Sequence, residues 1–167
     1  MATRTVYNDL TGAYPHKSSR GNQYIFVLYD YDENAILTQP IKNRQAATIH
    51  NAWLSLHQVL QRSGNAPNLY IMDNEASRDM KDSMTKHKIN FQLAPTHIHR
   101  RNTAELAIRT FKNHFVAGLS TTDPNFPVSE WDRLLDQATI TLNLLRQSRV
   151  IQKPDQRASW AHHGTPS

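Results

Sequence analysis

Three carboxylates sit where they could act together. Asp9 and Asp73 each close a short apolar segment, and Glu105 opens a long helical pattern. A carboxylate at the end of a strand is held by the sheet yet stays partly open. If the two strands are neighbours and the helix begins beside them, the three groups converge. Hard oxygen donors in a chain without Cys suit Mg²⁺ or Mn²⁺, not zinc. Two such ions about 3.5–4 Å apart can activate a hydroxyl and stabilise the leaving oxygen in phosphodiester chemistry. The same residues have plainer uses. Asp9 can start a turn, and Asn102 with Glu105 has capping-box spacing, in which Glu105 reaches back to the cap backbone. Asp30, Asp32, Glu33 and Asp155 read as turn and surface groups.

The elements that must position these residues follow from hydrophobic period. Val6, Tyr7 and Leu10 mark a strand, Thr11–Pro15 a turn and His16–Gln23 a polar loop. Tyr24–Tyr29 is an apolar, β-branched and aromatic run, expected as a strand buried on both faces, with Ala35–Gln39 its hairpin partner. From Arg44 the period becomes helical through Ala46, Ile49, Trp53, Leu56 and Leu60, and Gly64 stops it. Leu69–Met72 reads as a buried strand, Ser77–His87 as a weak helix and Ile89–Leu93 as an alternating strand. Pro95 ends that strand, and Thr96–Arg101 reads as a basic loop. A long helix is expected from an N-cap at Asn102, marked by Ala104, Ile108, Phe111 and Phe115. A last helix carries Trp131, Leu134, Leu135, Ala138, Leu142 and Leu145. The order predicts an α/β fold, a mixed sheet flanked by helices. Residues 1–153 form the expected domain and 154–167 a polar, frayed tail.

On the long helix, Asn102, Glu105, Arg109 and Lys112 are spaced three, four and three apart and share one stripe. A basic stripe leading away from a carboxylate suits a nucleic-acid backbone passing a metal site. The plain alternative is a solvated face with a Glu105–Arg109 pair. Charge supports the first reading. The 167 residues carry 19 Lys and Arg against 14 Asp and Glu, a formal +5. Residues 76–115 hold eight basic and three acidic residues, and eight minus three accounts for that whole excess. Arg100 and Arg101 extend the basic surface. The absence of Cys excludes disulfides, zinc fingers and thiol catalysis. No apolar run approaches the roughly 20 residues that span a bilayer, and Met1–Asp9 has no leader-like apolar stretch. The expectation is a soluble intracellular protein with a polyanionic partner and no membrane. His97 and His99 with His87 or His114 could suggest zinc, but zinc wants three or four preformed ligands, and the two His of the basic loop read more readily as phosphate or solvent contacts. Trp53, Trp131, Phe111 and Phe115 read as core.

These residues resemble a known family. Asp9-Leu10-Thr11-Gly12 with Tyr14-Pro15, then Met72-Asp73-Asn74-Glu75, then Arg101-Asn102-Thr103-Ala104-Glu105 look like the three acidic motifs of retroviral and long-terminal-repeat retrotransposon integrases, the copia-like group in particular. Gly21–Val27 and Ala107–Lys112 resemble that group too, and the likeness runs from Val6 to Lys153. It implies a ribonuclease H-like fold with a mixed five-stranded sheet. It implies a DDE-type polynucleotidyl transferase in which Asp9, Asp73 and Glu105 bind two Mg²⁺ or Mn²⁺ ions. Asn102, Arg100, Arg101, Arg109 and Lys112 would then position DNA. The implied reactions are trimming of a 3′ retroelement DNA end and transfer of that end to target DNA, without a covalent enzyme intermediate. Implied too are a homodimer of cores, built through the Arg44–Ser63 helix and the one starting at Asn102, a higher oligomer in the full-length protein, and work in the nucleus, or in a virus-like particle or the cytoplasm before nuclear entry.

The sequence departs from the family in places. The Asp73–Glu105 gap is a few residues short, and Leu106 stands where Arg is common. The zinc-binding module that precedes the core in that family and the basic module that follows it are not within these residues. Two other functions fit the same motifs: a non-catalytic, DNA-binding or self-associating relic, and a nuclease of the ribonuclease H type.

Overall fold

The computed structural model describes residues 4–72, 78–93 and 99–147, the side chains of residues 99–102 excepted. Asp73, residues 94–98 with the start of the expected basic loop, and the expected tail at 154–167 lie outside the described residues. Strands β1 (Thr5–Leu10), β2 (Tyr24–Asp30) and β3 (Ala35–Ile41) lead into helix α1 (Ala46–Arg62). Then come β4 (Leu69–Met72), α2 (Arg78–Lys86), β5 (Asn90–Leu93) and α3 (His99–Ser120). A 3₁₀ helix, Val128–Leu134, runs into α4 (Leu135–Leu144). The five strands form one mixed sheet in the order β3-β2-β1-β4-β5. β3, β2 and β1 pair antiparallel; β1, β4 and β5 pair parallel. Pro40 is tolerated inside β3 because that strand is an edge.

Alternation along β2 divides the core. Ile25, Val27 and Tyr29 point to one face and Phe26 and Leu28 to the other. On the first face α3 and α4 lay down Ala104, Ala107, Ile108, Phe111, Phe115, Leu135 and Leu142, with Trp131 from the 3₁₀ helix. On the second, α1 and α2 supply Trp53, Leu56, Leu60, Met80 and Met84 against Val6, Tyr70 and Met72. Both faces of β2 are covered, which is why its sequence is apolar throughout. At the end of α1, Asn65 N–H donates to Leu60 O and Gly64 N–H to Gln61 O, with Gly64 at φ +76°. This left-handed turn is one that glycine adopts without a Cβ penalty. α2 closes in the same way through Ile89 and Lys88, where Lys88 takes φ +56° despite its side chain.

Several expectations are corrected. α3 begins at His99, so Arg100 and Arg101 lie in its first turn and not in a loop. Asn102 is inside the helix and does not cap it, which removes the capping-box reading of Glu105. Arg is a good helix former, and no Gly or Pro stands between His99 and Asn102 to stop the helix extending backwards. The expected last helix is two pieces, with Glu130 out of helical geometry within the first. Leu145 is not core: it caps α4 and is exposed, so the apolar period outruns the element. β5 is a mostly exposed edge without the expected alternation of burial. Asp30 closes its turn, as read, but is buried, accepting from the backbone N–H of Asp32 at 3.1 Å and Glu33 at 3.2 Å.

Under α1, His57 Nδ1 and the Tyr70 hydroxyl are hydrogen-bonded at 2.7 Å, and the imidazole stacks on Trp53. Burial lowers the His57 pKa from its ordinary 6.5, and repulsion from His87 adds to this. The unfolded chain therefore takes up a proton before the folded chain does. Stability should fall as pH drops below about 6.5, toward the lowered folded value. Urea denaturation across that window should show the slope shrinking in His57→Gln, which keeps a hydrogen-bonding group but does not titrate. Phe111 is fully buried between α3 and the sheet. Phe111→Ala should cost about 3–5 kcal/mol in the same measurement.

Candidate nucleic-acid and metal site

Asp9 lies next to the carboxyl end of β1, opposite Val27 of β2. Its strand also pairs with β4 in a one-to-one register: Thr5 with Leu69, Val6 with Tyr70 and Tyr7 with Ile71. Tyr7 faces α3, and Asp9, two residues on, shares that face. The Lys112 ammonium, reaching from α3, donates to Asp9 Oδ2 at 2.8 Å. The pair is open: the side chains keep 32% (Lys112) and 49% (Asp9) of their accessible surface. Glu105 is exposed in the second turn of α3, and Arg109 is exposed one turn further on. Glu105 stands seven residues before Lys112, two turns or roughly 10 Å along the axis. The structure thus joins Asp9 to Lys112 and sets Glu105 and Arg109 along the same helix stripe. Arg100, Arg101 and Asn102 belong to the first turn of that helix. Among the described residues no three His, Asp or Glu side chains cluster as a metal site.

The segment after Asp9 is fixed more firmly than its composition implied. Thr11 N–H donates to Ile25 O at 3.0 Å, and the buried Thr11 hydroxyl accepts from Ile25 N–H at 2.8 Å. Tyr14 stacks on Trp131, ring centroids 4.6 Å apart, and meets Phe115 edge-on. Burial pushes the Tyr14 phenol up to about 12. Trp131 Nε1 donates to His16 O at 2.8 Å, and Ser19 N–H to Ser129 O at 2.8 Å. Asp132 is buried, and its Oδ2 accepts from Asn22 Nδ2 at 2.8 Å and Arg20 Nε at 3.2 Å. Burial alone would raise the Asp132 pKa. Hydrogen bonds from Asn22, Arg20 and Ser18, with the Arg20 charge, outweigh burial and hold it below the ordinary carboxylate value.

The expected polar loop His16–Gln23 is therefore bolted to the 3₁₀ helix, and sequence reasoning missed the bolt. Only the neighbouring Trp131 hinted that Asp132 would be buried. Beside this turn lies a groove of about 570 Å³, lined by apolar groups of Tyr14, Pro15, Val116, Val128 and Trp131 with Lys112 at one side.

No protein-family model matches the chain, and no curated protein matches it in sequence. Solved structures do match. The HTLV-2 integrase catalytic core domain in complex with magnesium, in its trimeric form, is 19% identical over 92% of this chain and 90% of that one, with a TM-score of 0.64. The catalytic core domain of BIV integrase is 16% identical over 97% of each chain, with a TM-score of 0.66. A chain of the simian T-cell lymphotropic virus intasome, in complex with a PP2A regulatory subunit, is 18% identical with a TM-score of 0.68. This protein covers 98% of itself but about half, 55%, of that longer chain. The fold is that of a retroviral integrase catalytic core.

The expected ribonuclease H-like architecture with a five-stranded mixed sheet thus holds. Among the described residues no helix is long and apolar enough to cross a membrane. The Asp132 contacts tie Arg20 and Asn22 to the 3₁₀ helix, and Asp132→Ala should lower stability by about 1–3 kcal/mol. Thermal or urea denaturation checks this, with Arg20→Ala, an exposed partner, expected to cost less.

Proposed function

We propose that the chain is an integrase catalytic core of the DDE type: a divalent-metal-dependent polynucleotidyl transferase that trims the 3′ end of retroelement DNA and joins it to target DNA. One observation carries this reading. β1 and β4 are neighbouring parallel strands in one-to-one register. In sequence, Asp9 lies next to the end of the first of these strands and Asp73 directly follows Met72, the last residue of the second. On open α/β sheets, chemistry gathers at the carboxyl ends of such strands. The donor set fits the metal: hard carboxylate oxygens, with Asp9 half-open and already holding a cation, the Lys112 ammonium.

In this reading Asp9, Asp73 and Glu105 hold two Mg²⁺ or Mn²⁺ ions, which when bound activate the attacking oxygen and stabilise the leaving one. In trimming, a water oxygen attacks the phosphorus, the bond to the 3′ oxygen breaks and a 3′-hydroxyl is released. In joining, that hydroxyl attacks a target phosphodiester and a target 3′ oxygen leaves. Neither step needs a Ser or Tyr nucleophile. Arg109 and Lys112, with Arg100, Arg101 and Asn102 in the first turn of α3, hold the DNA backbone. Exposed Leu106 supplies no charge beside Glu105, so more of that work falls to Arg109. Exposed Val59 on α1 and exposed Leu106 and Val116 on α3 support a dimer of cores through those helices, within a nuclear or particle-borne assembly.

The test is a disintegration or strand-transfer assay with Mn²⁺. Glu105→Gln and Asp9→Asn should each reduce product by about a thousandfold or more, the several kcal/mol of charge stabilisation that bound metals supply. Equal activity in Glu105→Gln would overturn the site. An RNA–DNA hybrid should stay largely intact; its cleavage would favour the nuclease reading.

A further inference from the structure

We infer that Lys112 is a resident counter-cation on Asp9 which gives way when a divalent ion binds, and that its freed charge then grips a DNA phosphate. The inference rests on the proposed metal site but adds to it a coupling between metal and DNA. Lys112 Nζ touches Asp9 Oδ2 at 2.8 Å across 103 residues of sequence, so the contact ties α3 to β1 at the candidate site itself. The ammonium occupies an oxygen that a metal would use. Both side chains remain open to solvent. A lysine is a compact point charge on a flexible four-carbon stem, so it leaves more readily than a forked Arg pair would. Exposed pairs of this kind are weak, worth roughly a two- to fivefold change in a binding constant. A divalent ion, with twice the charge, displaces the ammonium at small cost.

The destination of the freed ammonium is set by the helix. Side chains on α3 lean toward its N-terminus, and Lys112 shares a stripe with Arg109 and Glu105. While paired to Asp9, Lys112 contributes little net charge to that stripe. Once released, it adds one full positive charge to the basic track. Coupling of this kind is reciprocal: DNA that recruits Lys112 also strengthens metal binding at Asp9.

Two measurements test this on the whole chain. The first needs no metal. In EDTA, Asp9→Asn should bind a DNA duplex about two- to fivefold more tightly than wild type, with a salt-dependence slope steeper by about one. In a Lys112→Met background the same Asp9→Asn change should give less than half that gain. An equal gain in both backgrounds means simple loss of repulsion and overturns the inference. The second measurement is Mn²⁺ binding, read by the electron paramagnetic resonance of free Mn²⁺. Lys112→Met should bind Mn²⁺ about two- to fivefold more tightly than wild type. Unchanged or weaker binding overturns the inference while leaving the metal site standing. Mn²⁺ binding that Asp9→Asn leaves intact overturns the metal site itself.

Discussion

The packing of one stripe of α3 on one face of the sheet is the constraint on which the rest depends. Ala104, Ala107, Ile108, Phe111 and Phe115 are buried against Tyr7, Val27 and Tyr29. Burying large aromatic and aliphatic side chains contributes roughly 1.5–3 kcal/mol each, far more than the polar contacts at the surface. That packing fixes the rotation of the helix about its own axis. Glu105, Arg109 and Lys112 then have no choice of direction: they run along the flank of the buried stripe. Because side chains alternate along β1, the face that packs Tyr7 against α3 also presents Asp9 to it. The Asp9–Lys112 contact follows from core packing and is not its cause.

A second layer of organisation holds the chain just beyond Asp9. The turn after Asp9 is tied to β2 through Thr11, and the loop beyond it is tied to the 3₁₀ helix through Trp131 and buried Asp132. A buried carboxylate is costly unless it is hydrogen-bonded, and here two side-chain donors meet one oxygen. Tyr14, held between Trp131 and Phe115, carries that rigidity back toward Asp9. The residues that hold the candidate site in place thus come from stretches far apart in sequence: Thr11 and Tyr14 belong to the first acidic motif, whereas Phe115, Trp131 and Asp132 lie outside all three.

Much of this was legible in sequence. The continuous apolar run of β2 announced a strand covered on both faces, the three-and-four spacing from Ala46 announced α1, and Gly64 announced its end. Those signals are local: they express a period or a single backbone requirement. Where a signal is local but ambiguous, residue type alone does not settle the element. Asn102 looks like a cap, yet the residues before it propagate a helix equally well, and α3 takes them. The apolar period of the last helix continued through Leu145 although the helix stops before it. Lys88 adopts a left-handed conformation that a lysine gives no sign of, because tertiary context imposed it.

The sequence by itself determined the element types, the two-sided strand, the apolar and polar stripes of α3 and the concentration of positive charge in residues 76–115. Each is a matter of residue type and spacing along one segment, and side-chain direction within a strand or helix follows from backbone geometry alone. Tertiary structure decided which partners meet. It placed β1 between β2 and β4, buried Asp30, His57 and Asp132, and set Lys112 against Asp9. Contacts between segments so distant in the chain are selected by how whole faces pack, and no local pattern records that choice.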